Sequence, residues 1–237
     1  FELGKLYQAR GNTTDAIIHF LQVHDNDLYL SAANRLLALF LFEQDIESAD
    51  EHMERLYKRL PEHKAALYAI YGQALVEGQQ LAHAITLFDT ALSEFPNDIE
   101  LRYSRGMLFY HIDRLTDAER DFKAALALDP THVATLNSLG YMLAEKTERF
   151  EEAHQLLTRA LALSPDDAAI IDSMGWLLYR QGTVQEALTY LQRAYTLAPL
   201  ADIAAHLGEV LWIVGREQDA LTIWREGLSR HPEASVI

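Results

Sequence analysis

The sequence predicts an all-α protein built as an α-solenoid of stacked helix pairs, and three observations predict it. All six prolines fall on one ladder, Pro61, Pro96, Pro130, Pro165, Pro199 and Pro232, at intervals of 35, 34, 35, 34 and 33 residues. Twelve residues before each stands an alanine: Ala49, Ala84, Ala118, Ala153, Ala187 and Ala220. Eight residues before each sits a bulky apolar side chain: Met53, Phe88, Phe122, Leu157, Leu191 and Trp224. A period near 34 with helix-forming sequence between the marks belongs to arrays whose units bury their cores only against their neighbours.

The second helix of each unit follows from these offsets. Five residues before the prolines come Leu56, Ala91, Ala125, Ala160, Ala194 and Gly227. Offsets of twelve, eight and five follow helical spacing and mark one buried stripe. Proline then stops the helix, since it has no N–H and restricts the residue before it. The first helix carries a glycine 24 or 25 residues before five of the prolines: Gly72, Gly106, Gly140, Gly175 and Gly208, with Gly4 in the same place at the start. A glycine inside a helix costs about 1 kcal/mol against alanine, so its recurrence calls for a close helix–helix approach. Between the paired helices stand Gly11, Gly78, Gly182 and Gly215 as turn residues. Thr116 with Glu119, and Thr183 with Glu186, have capping-box spacing. Glu151–Glu152 and Asp166–Asp167 sit at predicted helix starts, where they complement the dipole.

These residues closely resemble the tetratricopeptide repeat family. The pattern is met in ALYAIYGQALVEGQQLAHAITLFDTALSEFP, ATLNSLGYMLAEKTERFEEAHQLLTRALALSP and AAIIDSMGWLLYRQGTVQEALTYLQRAYTLAP. The resemblance implies a right-handed superhelix of antiparallel helix pairs, one solenoid over 1–237. Its units are a truncated one at 1–28 and repeats at 29–62, 65–98, 99–132, 133–167, 168–200 and 201–234. The repeat at 29–62 departs, with Leu37 or Ala38 in place of the glycine, and an extra residue falls near 145–150. Opening in mid-repeat on Phe1, the sequence reads as part of a longer protein.

Composition narrows the function. A formal charge of −15 and a pI near 5.0 oppose binding to a phosphate backbone, so no nucleic-acid partner is expected. There are no cysteines, which removes disulfides and thiolate metal sites. No apolar run approaches the roughly 18 residues of a membrane span. The ten histidines form no H-E-x-x-H, and His19 and His24 are five apart, off the face a zinc pair uses. Phosphate-binding glycine loops and nucleophile-elbow motifs are also missing. The chain is expected to be no enzyme and to need no cofactor or metal.

In a tetratricopeptide array the first helices line the concave face, so residues three before, one after and four after each glycine should face a groove. The candidate polypeptide-binding residues are Tyr103, Met107, Tyr110, Asn137, Tyr141, Asp172, Trp176, Tyr179, Glu209 and Trp212. Tyr103, Tyr110 and Tyr179 occupy places where tyrosine also serves ordinary packing. Met107, Tyr141 and Trp176, one residue after the glycine, suit aromatic and apolar anchoring of a peptide. The groove positions carry no Lys or Arg, so the clamp that grips chaperone C-termini is excluded. Hydrophobic or weakly basic segments fit best.

A narrower resemblance covers 172–228. DSMGW at 172–176 and AAHLGEVLW at 204–212 are similar to the C-terminal repeats of proteobacterial tetratricopeptide outer-membrane lipoproteins. One such type is the lipoprotein partner of a periplasmic C-terminal processing protease. That implies an adaptor delivering protein substrates such as peptidoglycan hydrolases, periplasmic, with membrane attachment only through a lipid anchor outside these residues. The alternative is a structural or assembly subunit of a cell-envelope, pilus or secretion complex, and a cytoplasmic location is the alternative to the periplasm. Apolar surface around Leu3, Leu6 and Tyr7 leaves room for self-association.

Overall fold

The computed structural model describes residues 1–24, 26–230 and 232. Among them are seven helix hairpins and no strand. They are α1 (Glu2–Ala9) with α2 (Thr13–Leu21), α3 (Asn26–Phe42) with α4 (Ile46–Arg59), and α5 (Lys64–Glu77) with α6 (Leu81–Glu94). Then follow α7 (Ile99–His111) with α8 (Leu115–Leu128), and α9 (Val133–Lys146) with α10 (Phe150–Leu163). The last are α11 (Ala168–Arg180) with α12 (Val184–Leu197), and α13 (Ala201–Ile213) with α14 (Glu217–Arg230). A short 3₁₀ turn, Pro61–His63, precedes α5. The chain divides into two compact units, 1–121 and 122–237, a division the repeat pattern does not announce. The predicted unit 1–28 and repeat 201–234 each include positions outside the described residues, at 25 and at 231, 233 and 234.

The predicted stripe is the core. Ala49, Ala84, Ala118, Ala153, Ala187 and Ala220 are all 0% exposed, as is Ala16 in the first hairpin. Met53, Phe88, Phe122, Leu157 and Leu191 are buried beside them, while Trp224 in the last hairpin is half-buried. The alanines let the helices of a pair approach, and the large residues fill the space opposite the glycines. At Gly72 a Cβ would stand 2.7 Å from Phe88 Cε1 and Cε2 and closer still to Cζ. The glycine there is a slot for the phenylalanine ring. In the hairpin without that glycine, α3 runs 17 residues and buries Leu37.

Each proline stands two residues beyond the last helical one, from Pro61 after Arg59 to Pro232 after Arg230. The proline carbonyls are used as well. Arg102 binds that of Pro96, Arg159 that of Pro130 at 2.6 Å, and Arg193 that of Pro165 at 2.9 Å. The last two arginines lie six residues before the next proline and link successive hairpins of one unit.

Turn chemistry differs from expectation in two places. In six of the hairpins the residue two beyond the first helix takes a left-handed backbone: Gly11, Gln44, Gln79, Asp113, Gly182 and Gly215. Gly78 is not one of them; its φ is −75°, and Gln79 at φ 59° makes the turn. The capping boxes do not form either. Thr116 lies inside α8, and the Thr183 hydroxyl donates back to Leu178 O at 2.9 Å instead of capping α12. Helix starts are capped by Asn12, Asp45, Asp98 and Asp167, whose side chains accept backbone N–H groups three residues on.

In the first hairpin Leu3 and Leu6 are 55% and 44% exposed, whereas Tyr7 is half-buried and stacks on His19 at 5.2 Å.

Candidate functional site

In the unit 122–237 the first helices α9, α11 and α13 pack side by side. Helical spacing puts Tyr141 and Glu145 on one face of α9, Asp172, Trp176 and Tyr179 on one face of α11, and His206 and Glu209 on one face of α13. The structure joins these side chains into one network centred on His206, a residue absent from the predicted set. Its Nδ1 bonds Asp172 Oδ2 at 2.8 Å, and its Nε2 faces the Tyr141 hydroxyl at 3.2 Å. The imidazole stacks on the Trp176 indole with centroids 4.2 Å apart and planes 21° apart. Trp176 donates its indole N–H to Glu145 Oε2 at 2.5 Å, and Glu145 also pairs with Arg180 at 3.5 Å. The Tyr179 hydroxyl donates to Glu209 at 3.2 Å.

Burial opposes a charge on His206, but the hydrogen bond and charge of Asp172, aided by Asp202 and Glu145, outweigh it. The His206 pKa therefore lies above its ordinary value, which favours an imidazolium held between a carboxylate and an indole face. Trp176 is only 7% exposed and belongs to the rigid floor of this face. Trp212 sits apart from the network, 43% exposed and stacked on Trp224 at 5.9 Å. Glu209 is exposed, Tyr179 half-exposed, and the Asn137 side-chain carbonyl oxygen is enclosed without a hydrogen-bond partner among the described residues. Asp172 Oδ1 is likewise enclosed and has no hydrogen-bond partner among the described residues.

The other three predicted residues lie in the unit 1–121. Tyr103, Met107 and Tyr110 are half-buried on one face of α7. Beside them Arg105 forms two bonds to the buried Asp121 carboxylate, at 2.6 and 2.7 Å, and a third to Asp89 at 2.7 Å. His206, Glu145 and Arg105 escaped the sequence reading because they fall two before, five after and one before a glycine, outside the three offsets taken to face the groove. Among the described residues no group of three His, Asp or Glu is placed to hold a metal, and no helix is long and apolar enough to cross a membrane.

The profile described as Tetratricopeptide repeat matches residues 39–99, 71–133 and 141–202. The chain belongs to the tetratricopeptide repeat family. It is 37% identical over 209 residues to a TPR repeat-containing protein of Pseudomonas aeruginosa, a match covering 88% of this chain and 35% of that protein. The chain thus spans about a third of the length of this curated relative. Among solved tetratricopeptide structures it is similar to TTC0263 of Thermus thermophilus, at TM-score 0.65 and 23% identity over 71% of this chain and 92% of that one. It is similar to PilF of Pseudomonas aeruginosa at TM-score 0.60 and 20% identity, over 69% and 76% of the two chains. YrrB, described as a TPR protein with an unusual peptide-binding site, aligns at TM-score 0.51 and 21% identity over 76% and 93%. Tetratricopeptide proteins mediate protein–protein interaction, and their fold is typically a non-catalytic scaffold.

Proposed function

We propose that this chain is a non-catalytic adaptor that holds a polypeptide segment against the face made by α9, α11 and α13. One observation carries the reading: α13, which brings His206 to the hydrogen-bonded floor with Trp176 and Asp172, also carries exposed Glu209 and, one turn further on, Trp212, 43% exposed. An exposed indole on a fixed helix is the type of residue that anchors interfaces. A pre-organised floor lowers the ordering cost of binding. Exposed Glu209 favours apolar or weakly basic segments. The peptide-binding site in the description of YrrB supports the same use of this fold.

The partners proposed are a periplasmic C-terminal processing protease and its protein substrates, such as peptidoglycan hydrolases. The likeness of residues 172–228 to the lipoprotein partners of such proteases supports this reading. The proposed location is the periplasm, with attachment to the outer membrane through lipid carried outside these residues. The test is a pull-down of the purified protease by the intact protein and by its Trp212→Ser/Glu209→Lys variant. Capture by the intact protein, reduced at least tenfold in the variant, is expected. Absence of capture, or equal capture by a variant of unchanged helicity, overturns the proposal.

A further inference from the structure

Glu209 and Trp212 stand three residues apart on α13 and are neighbours on its surface. Each is held by an aromatic neighbour. The Tyr179 hydroxyl donates to Glu209 Oε1 at 3.2 Å, and the Tyr179 ring rests against the Trp176 indole with centroids 5.1 Å apart. Trp212 stacks on Trp224 with centroids 5.9 Å and planes 30° apart, yet is 43% exposed. Stacking engages one face of that indole, and its exposure leaves the other to a partner. A carboxylate and an aromatic face, both accessible and both fixed in place, thus lie side by side.

The charge around them is one-sided. Arg180 pairs with Glu145, and His206 with Asp172. Glu209 and Asp202, both exposed and two turns apart on α13, form no ion pair among the described residues. The charges left open on this helix are therefore negative, which selects a cationic group in whatever lies against it.

We propose that Glu209 and Trp212 form a subsite for an arginine side chain of the bound polypeptide, an inference that rests on the use of this face proposed above. The guanidinium lies flat on the open indole face and turns two N–H groups to the Glu209 carboxylate. That carboxylate has about four lone-pair sites, of which the Tyr179 hydroxyl uses one. Arginine fits better than lysine because its planar fork stacks on an aromatic ring and pairs with a carboxylate at once, and it is more weakly hydrated than an ammonium. Tyr179 is a positioning residue, since its hydrogen bond holds the carboxylate in place.

The test uses the isotopically labelled protein and an N-acetylated heptapeptide amide of serine, alanine and leucine with one central arginine. Counterparts carry lysine, citrulline or norleucine in its place. Saturable shifts of the Trp212 indole N–H, assigned by its loss in Trp212→Phe, are expected with the arginine peptide. Binding should be about threefold weaker with lysine and about fivefold weaker with citrulline, which keeps the planar shape and loses the charge. Glu209→Gln should bring arginine down to the level of citrulline, and Trp212→Leu should weaken arginine about fivefold, both with helicity unchanged. Tyr179→Phe should narrow the preference for arginine over citrulline while leaving citrulline affinity as it was. Equal binding of all the peptides at Trp212 overturns the arginine subsite but leaves the face a polypeptide-binding surface. Lysine binding as tightly as arginine overturns the choice of guanidinium, and an arginine preference that survives Glu209→Gln overturns the role of that carboxylate. Absence of a saturable shift with any peptide overturns the subsite, while the protease pull-down decides the face separately.

Discussion

Replacing Gly72 by alanine sets two effects of known sign against each other. Alanine is favoured over glycine in a helix by about 1 kcal/mol. Against this, the new methyl would stand 2.7 Å from two atoms of the Phe88 ring and closer to a third, where ordinary contact needs about 3.5–4.0 Å. Phe88 is 1% exposed and cannot swing aside, so α5 and α6 must move apart. Overpacking of this kind costs about 1–3 kcal/mol, and the ring's confinement puts Gly72→Ala toward the upper end. The expected net effect is a loss of about 1–2 kcal/mol after the helix gain is subtracted. Urea unfolding followed by far-ultraviolet circular dichroism measures it. Phe88→Leu alone should destabilise, yet in the Gly72→Ala background it should recover at least half the loss, a coupling that only touching residues show. If Gly72→Ala is neutral or stabilising, the glycine is not a slot for the ring and the packing argument fails.

Other outcomes follow from the same contacts. Gln79→Gly should stabilise by about 0.5–1 kcal/mol, since Gln79 holds φ at 59° and a side chain resists that conformation; unchanged urea midpoints would refute it. Arg105→Ala should cost about 3 kcal/mol because it strips the buried Asp121 carboxylate of both guanidinium bonds. Arg105→Ala/Asp121→Ala should recover part of that loss, and failure to do so refutes the account. Buried His52 and half-buried His206 should pull stability in opposite directions with pH. His206 binds its proton more tightly folded than unfolded, so its contribution is present below the ordinary value of 6.5 and is lost as pH rises through the higher folded value. His52, held below its ordinary value by burial, contributes above 6.5 and loses that contribution as pH falls. Proton NMR should place the two midpoints on opposite sides of 6.5, and Asp172→Asn should lower that of His206.

Most of the framework was legible in the chain because packing at one period leaves one pattern. Ala84, Phe88 and Ala91 could be assigned to the core from their distance to Pro96, and the structure buries all three. Gly72 could be assigned to a close approach for the same reason. The turns were less legible, because a left-handed residue announces itself only when it is glycine; Gln44, Gln79 and Asp113 adopt that backbone without the usual mark. Thr183 has capping-box spacing, yet its hydroxyl satisfies Leu178 O, a choice between two local acceptor–donor pairings that sequence spacing does not decide.

The candidate site was read in part. Asp172, Trp176 and Tyr141 were singled out by their offsets from glycines, three before for Asp172 and one after for the other two. The group that joins them, His206, stands 34 residues from Asp172 and 65 from Tyr141, and only the stacking of successive hairpins brings them into contact. The enclosed Tyr57 hydroxyl, without a hydrogen-bond partner among the described residues, was not legible either, since that tyrosine reads as an ordinary core residue.

The central claim is that a polypeptide lies against α9, α11 and α13. Site-specific photocrosslinking tests it most directly, with p-benzoylphenylalanine placed in turn at Trp212 and Tyr179 on that face and at Thr189 and Thr222 on the exposed sides of α12 and α14. The intact protein is irradiated with the purified C-terminal processing protease. The account predicts crosslinks from positions 212 and 179 and none from 189 or 222. Crosslinks from 189 or 222 with silence at 212 and 179 would contradict it.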